Sequence, residues 1–363
     1  MAITELGNAL QREDTALVLI FCSPDYDRAT LGQAIAARFA GIPVVGCTTA
    51  GEIGGQGYSD GGMVGLSFSR HDFDIAIGFL DGLSTFEMRR GQGLGKALQS
   101  ELLAQAPDAD RHNSFGLLFI DGLSIREEQV TRALQMGLGE IPLIGGSAGD
   151  DLALQNTFVF HDGIFHTDSA ACVVMHTALP FRIFKTQHFM AMDERLVVTE
   201  ADSSHRLVKE INGRPAAEEY ARILDTSGIG LDSSHFAASP VVVMLDGTNY
   251  VRSIQRANPD GSLTFYCAIE EGLVFRVAKG VDLMDNLEHA LEAVTSAIGP
   301  PQAMLVYDCI LRKLEISQLN LRSEVAALFS RHRAVGFNTY GEQYQGVHVN
   351  QTLVGIAFGE AAA

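Results

Sequence analysis

The chain has no Cys-x-x-Cys pair, and its five cysteines (Cys22, Cys47, Cys172, Cys267 and Cys309) are odd in number and widely scattered. That pattern argues against a zinc site and against a disulfide framework. No Cys-x-x-Cys-His string occurs either, which excludes covalent c-type haem. No apolar stretch approaches the roughly 18 residues of a membrane helix. Residues 1–11 lack a basic segment followed by an apolar one, so no secretory signal is expected and a reducing cytoplasm is the expected compartment. Basic residues are few: 26 Lys and Arg stand against 44 Asp and Glu, a formal net charge of −18. Such a surface repels phosphate backbones and anionic lipid, so neither nucleic acid nor membrane is an expected partner. The one late basic run, Arg331-His332-Arg333, reads as a solvated loop before a strand.

What is present is an ordinary globular composition, 47% hydrophobic and 19% charged, over 363 residues. That length allows two domains with proper cores. A glycine phrase occurs three times: Ile42-Pro-Val-Val-Gly-Cys-Thr-Thr-Ala-Gly-Glu-Ile53, Ile141-Pro-Leu-Ile-Gly-Gly-Ser-Ala-Gly-Asp150 and Ala334-Val-Gly-Phe-Asn-Thr-Tyr-Gly-Glu342. Each is a short apolar run, a glycine, small polar residues and a second glycine. The phrase reads as a buried strand ending in a tight turn, repeated through the fold.

Around these phrases the first half alternates strand and helix. Strands are expected at 16–22, 44–46, 63–68, 74–79 and 115–120, with 63–68 and 74–79 paired to each other. Helices are expected at 28–39, 93–104 and 127–138. The glycine-rich 51–62 reads as loop. The middle carries strands in quick succession, including one from Arg182 into the residues around Met192. The last third has strands, a long helix at 283–298, a helix at 321–329 and two final strands. The expected class is α/β, or mixed α+β, with mixed sheets.

Val45-Gly-Cys-Thr-Thr-Ala-Gly-Glu-Ile53, Phe119-Ile-Asp-Gly122 and Ile144-Gly-Gly-Ser-Ala-Gly-Asp150 together resemble the FIST N module. Val335-Gly-Phe-Asn-Thr-Tyr-Gly-Glu342 and His348-Val-Asn-Gln-Thr352 resemble FIST C. The chain is similar to the FIST family, bacterial signal-transduction sensors, with FIST N expected over 16–214 and FIST C over 215–360. The strings Asp308-Cys-Ile-Leu-Arg-Lys-Leu-Glu315 and Lys185-Thr-Gln-His-Phe189 look like a free-standing subgroup, the nitric-oxide-sensing haemoproteins (NosP). That resemblance implies b-type haem, nitric oxide as ligand and a partner sensory histidine kinase in a two-component system. Self-association into a homo-oligomer stays open, as does a FIST sensor that binds a metabolite such as an amino acid without haem.

Haem iron needs an axial donor inside an apolar cavity. On one strand, Phe184, Thr186, His188, Met190 and Met192 would share a face, with His188 as the iron ligand. Arg312 joins the cofactor-binding set. A hydrogen-bonded core histidine is the bland alternative for His188. His161 and His166 flank a hairpin turn and could share a metal. His176 ends a strand, and His348 sits in the FIST C phrase. Arg252, Arg312 and Glu342 could instead hold an amino-acid-like ligand, arginine forking the carboxylate. Cys47 occupies a nucleophile-like turn, but a packed residue is the expected role, and no enzyme activity is expected. Gly91-Gln-Gly-Leu-Gly-Lys96 lacks phosphate-loop spacing and reads as a helix start.

Overall fold

The computed structural model describes residues 2–226, 230–245 and 248–361. The three glycine phrases mark three copies of one unit. The first runs α1 (Ala2–Leu10), β1 (Thr15–Cys22), α2 (Arg28–Arg38), β2 (Val44–Thr48), a hairpin β3 (Glu52–Gly54) and β4 (Gly57–Ser59), then β5 (Met63–Ser69) and β6 (Phe73–Leu80). The second runs α3 (Met88–Gln105), β7 (Ser114–Ile120), α4 (Glu127–Leu138), β8 (Leu143–Ser147), hairpin β9 (Val159–His161) and β10 (Ile164–His166), β11 (Ala170–Thr177) and β12 (Phe181–Thr186).

A β-rich insertion follows: β13 (Phe189–Ala191), β14 (Leu196–Asp202), β15 (Leu207–Ile211), β16 (Arg214–Pro215), α5 (Ala216–Ile223), α6 (Ser233–Ala238), β17 (Val241–Leu245), β18 (Thr248–Arg252), β19 (Ile254–Ala257), β20 (Leu263–Phe265) and β21 (Val274–Gly280). The third copy is α7 (Leu283–Ile298), β22 (Ala303–Cys309), α8 (Ile310–Gln318), α9 (Arg322–Arg331), β23 (Ala334–Thr339), hairpin β24 (Glu342–Tyr344) and β25 (Val347–Val349), and β26 (Leu353–Phe358).

In each copy the first two strands run parallel across a helical crossover, and the strand after the hairpin returns antiparallel to the first. The hairpins leave home. β3–β4 adds to β23, β9–β10 adds to β2, and β24–β25 adds to β8, so each copy lends its hairpin to another in a closed cycle. The last strands of the first two copies are lent as well, β6 to β11 and β12 to β26. The insertion forms its own nine-stranded sheet over a separate core that includes Tyr220, Phe236, Phe265 and Phe275.

Register explains the repeated glycine. Gly46, Gly145 and Gly336 stand opposite Ile20, Leu118 and Val306 on the neighbouring parallel strand. A Cβ there would lie 1.7, 2.1 and 1.8 Å from the carbonyl oxygen of that partner. Close backbone approach therefore selects the first glycine of each phrase, which lies inside the strand rather than in the turn. One residue further along, Phe21, Phe119 and Tyr307 occupy equivalent places. Their rings meet at the centre with Phe337, Phe21 to Phe119 at 5.5 Å and Phe119 to Tyr307 at 6.1 Å between centroids. Each such burial contributes about 1.5–3 kcal/mol.

Several expectations are corrected. Strands β5 and β6 do not pair with each other, because β5 returns to β1 and β6 is lent to β11. The 51–62 segment contains the hairpin β3–β4. Gly91-Lys96 lies within α3 rather than at its start, and Gly95 there packs on Gly137 of α4, where a Cβ would meet the Gly137 Cα at 2.9 Å. Residues 182–192 are not one strand. β12 ends at Thr186 in the sheet of β26, and β13 begins at Phe189 in the inserted sheet. The two expected modules divide within the insertion, whereas the threefold unit runs across both.

Candidate ligand cleft

The second strand of each copy ends in a turn of one design: Thr49-Ala-Gly-Glu52, Ser147-Ala-Gly-Asp150 and Thr339-Tyr-Gly-Glu342. The three turns interlock. Ala50 N–H donates to the Asn338 carbonyl at 2.9 Å, Gly149 N–H to Thr48 at 3.0 Å, and Ser147 N–H to Gly341 at 2.9 Å. The acidic residue of each turn staples it shut. Glu52 accepts from the Thr49 hydroxyl at 2.6 Å and from Gly62 N–H at 2.8 Å. Glu342 accepts from the hydroxyls of Thr339 and Thr352, and burial pushes its carboxyl up to about 8. Asp150 accepts from three successive backbone N–H groups, Leu154, Gln155 and Asn156, at 2.7–2.9 Å, and from the Tyr340 hydroxyl. These carboxylates are spent on structure.

Beside the turns a cleft of about 520 Å³ opens among the three copies, at the carboxyl ends of β2 and β22. Open α/β sheets bind ligands at that end of their strands. The first copy supplies Asp25, Ala50 and Asp60 to the lining, the second Asp151 and Leu152, and the third Lys313 and Arg322. On α8, Ile310, Lys313, Leu314 and Ser317 face it with helical spacing. Lys313 Nζ donates to the Ala50 carbonyl at 2.8 Å and to Asp60. Arg322 reaches the other Asp60 oxygen at 3.4 Å. Burial pulls the Asp60 carboxyl upward, but its bonds to Lys313 and Arg322 win and hold it below its ordinary value. Asp151 moves the other way: burial raises it, and Asp25, Asp60 and Asp150 add to the rise against Lys313. Asn338 Oδ1 is buried without a hydrogen-bond partner. It lies close to Lys313 Nζ, since a Cβ on Gly51 would stand 3.0 Å from the former and 2.2 Å from the latter. The cleft thus offers ammonium, guanidinium and carboxylates side by side, with an unmet acceptor near its lysine.

The expected haem residues are dispersed. His188 is buried at the neck of the insertion, where its carbonyl accepts from Val281 N–H at 2.7 Å. Its Nε2 lies 2.9 Å from Glu315 and its Nδ1 3.3 Å from Arg312 Nη1. Arg312 in turn donates from Nε to Asp308 at 2.8 Å. Phe184 packs into the core under α7, while Met190 and Met192 are exposed, at 63% and 41%. The common face fails because the strand breaks at Gln187 and His188. In this arrangement both imidazole nitrogens of His188 are engaged by protein groups. Among the described residues no His/Cys/Asp/Glu cluster suited to a metal occurs. His161 and His166 rest on the Phe79 ring instead of facing a shared metal site.

The set Arg252, Arg312 and Glu342 is not assembled. Arg252 donates to the His348 carbonyl, Arg312 is held by Asp308, and Glu342 by its threonines. Cys47 is fully buried, and burial pushes its thiol well above its ordinary value. The other four cysteines are buried too. A thiol reagent at neutral pH is therefore expected to label none of them in the native protein and all five in denaturant; fast native labelling at Cys47 would contradict this placement.

Sequence reasoning passed over Asp25, Asp60, Asp151 and Arg322. Lys313 stood in a quoted string, and its signal was available: a lysine in phase with Ile310, Leu314 and Ser317 on one helical face.

Comparison with known proteins places the match along most of the chain. The FIST N domain family matches residues 16–214 and the FIST C domain family residues 216–345. A protein of Methanocaldococcus jannaschii, described as uncharacterized, is 25% identical over 231 residues, covering 61% of this chain and 43% of that relative. The chain spans under half the length of the curated relative it matches.

Proposed function

The chain belongs to the FIST family, and from that premise we propose that it is a signal-transduction sensor whose ligand is a small zwitterionic molecule, such as an amino acid, held without haem in the cleft beside Lys313. The observation that carries this reading is the cleft itself, whose lining sets the Lys313 and Arg322 cations beside the Asp25, Asp60 and Asp151 carboxylates. A ligand carboxylate would face Lys313, Arg322 and the first turn of α8. A ligand ammonium would face Asp25 and Asp151.

A sensor needs two conformations with different ligand affinity. The turn from Asp150 to Asn156 supports this role. Asp151 and Leu154 hold positive φ angles of 58° and 52°, costly for the leucine, and the turn is pinned by one carboxylate. A ligand touching Asp151 and Leu152 would release or fix it. The output passes to a partner protein; the family resemblance supplies a sensory histidine kinase for that part.

The subgroup resemblance supports a second reading, haem with nitric oxide as ligand, in which His188 would have to leave Glu315 or Arg312. One experiment separates the two. Protein purified from cells is unfolded, and what it releases is identified by mass spectrometry beside its visible spectrum. A small carboxylate-bearing amine, absent from a Lys313→Met preparation, is expected. A Soret band with haem extractable by acid-acetone would replace this reading with the second.

A further inference from the structure

The charges that line the cleft beside Lys313 do not balance. Two cations, Lys313 and Arg322, stand against three carboxylates, Asp25, Asp60 and Asp151. Asp60 is shared between the cations: Lys313 Nζ meets one of its oxygens, and Arg322 reaches the other at 3.4 Å. One carboxylate thus answers two cations there, which leaves one positive charge uncompensated. Among the described residues the carboxylates of Asp25 and Asp151 form no ion pair and accept no hydrogen bond. They leave two negative charges uncompensated.

Like charge crowds Asp151. Burial raises its carboxyl first, Lys313 opposes the rise, and Asp25, Asp60 and Asp150 add to it. A ligand cation relieves that crowding. Lys313 is the strongest charge acting on Asp151, so a carboxylate at Lys313 and an ammonium at Asp151 suit the adjacent groups of one amino acid. Asp25 is exposed and stays open to a second cation. Ala50, Leu152, Ile310 and Leu314 also line the cleft, and an aliphatic stem can lie along such surface with its charged head hydrated.

We propose that the ligand of this cleft is a basic amino acid of the lysine or arginine class. Its carboxylate meets Lys313 and Arg322, its α-ammonium Asp151, and its side-chain cation Asp25. This class presupposes a zwitterion beside Lys313 and adds the chemistry of its side chain. A neutral amino acid leaves one of the two carboxylates unanswered, and an acidic one adds a further negative charge. The discrimination therefore comes from charge left unpaired by the wrong ligand as much as from contacts to the right one.

The test is isothermal titration of the full chain with L-lysine and L-arginine. L-norleucine keeps a similar stem without the side-chain cation, and cadaverine and agmatine keep both cations without the carboxylate. At least one of the two basic amino acids is expected to bind about tenfold or more tighter than norleucine and than its own decarboxylated counterpart. In Asp25→Asn, a change at an exposed position, its preference over norleucine should fall to within about threefold. Norleucine bound as tightly as lysine and arginine overturns the basic class and leaves the zwitterion standing. Cadaverine or agmatine bound as tightly as its parent overturns the carboxylate contact on which both readings rest, and so does the absence of binding by any amino acid. A preference unchanged in Asp25→Asn overturns the role given to Asp25.

Discussion

Replacing Gly336 with alanine is expected to destabilise the protein by about 3 kcal/mol or more, the upper range for forcing atoms into a packed core. The added methyl would sit 1.8 Å from the Val306 carbonyl oxygen and 2.8 Å from its carbonyl carbon. Both are backbone atoms in a parallel ladder, so no side chain can swing aside. Gly46→Ala and Gly145→Ala should behave alike, since their methyls would lie 1.7 and 2.1 Å from the equivalent oxygens. Gly55 is the control, with nothing within 4 Å of its Cβ position. Gly55→Ala should stay within about 0.5 kcal/mol of wild type. Urea unfolding midpoints decide the matter. A Gly336→Ala protein as stable as the control would remove the close-approach account of the repeated phrase.

The second large effect is expected at Arg312. Its guanidinium lies between Asp308 and His188, and all three side chains are 0–1% exposed. Arg312→Met leaves Asp308 buried with only the Tyr58 hydroxyl and the Asn338 amide, and removing one partner of a buried pair costs about 3–5 kcal/mol. The loss should depend on pH. Burial already raises the Asp308 carboxyl despite Arg312, and deleting the cation raises it further. A carboxyl with its folded pKa above the unfolded value, about 3.9, contributes fully below that value and loses the contribution as pH rises. The deficit of the variant should therefore grow as the pH rises past the raised wild-type value of this carboxyl and level off once it passes the still higher value in the variant. A deficit that is flat across that range would mean that Asp308 does not carry the cost. His188→Ala should lose a smaller amount, because Arg312 keeps Asp308, while the neck of the insertion loosens.

Much of the scaffold could be read directly. The helices at 127–138 and 283–298 announce themselves by apolar spacing, and the structure gives them the same bounds. The threefold phrase was visible as a repeat. Its physical cause was not, because the carbonyl that excludes a side chain belongs to a strand some 26 to 30 positions earlier. Local pattern also cannot say which sheet a hairpin joins. Hence β3–β4 reads as glycine-rich loop, and β5 and β6 read as a hairpin though each pairs elsewhere. At 182–192, alternation suggested one strand with a shared face, but the chain changes sheets at His188 and the face divides between core and solvent. The cleft was hidden for a similar reason. Lys313 and Asp60 are 253 positions apart, and only the lending of β3–β4 to the third copy brings them together.

The central functional claim is that a small zwitterion binds beside Lys313. Isothermal titration of the full chain with each standard amino acid, repeated on Lys313→Met, tests it most directly. Saturable heat with at least one of them, weakened about tenfold or more in the variant, is the expected result. Binding that the variant leaves unchanged would place the ligand elsewhere, and no binding by the wild-type chain to any of them, alongside stoichiometric uptake of hemin, would contradict the account.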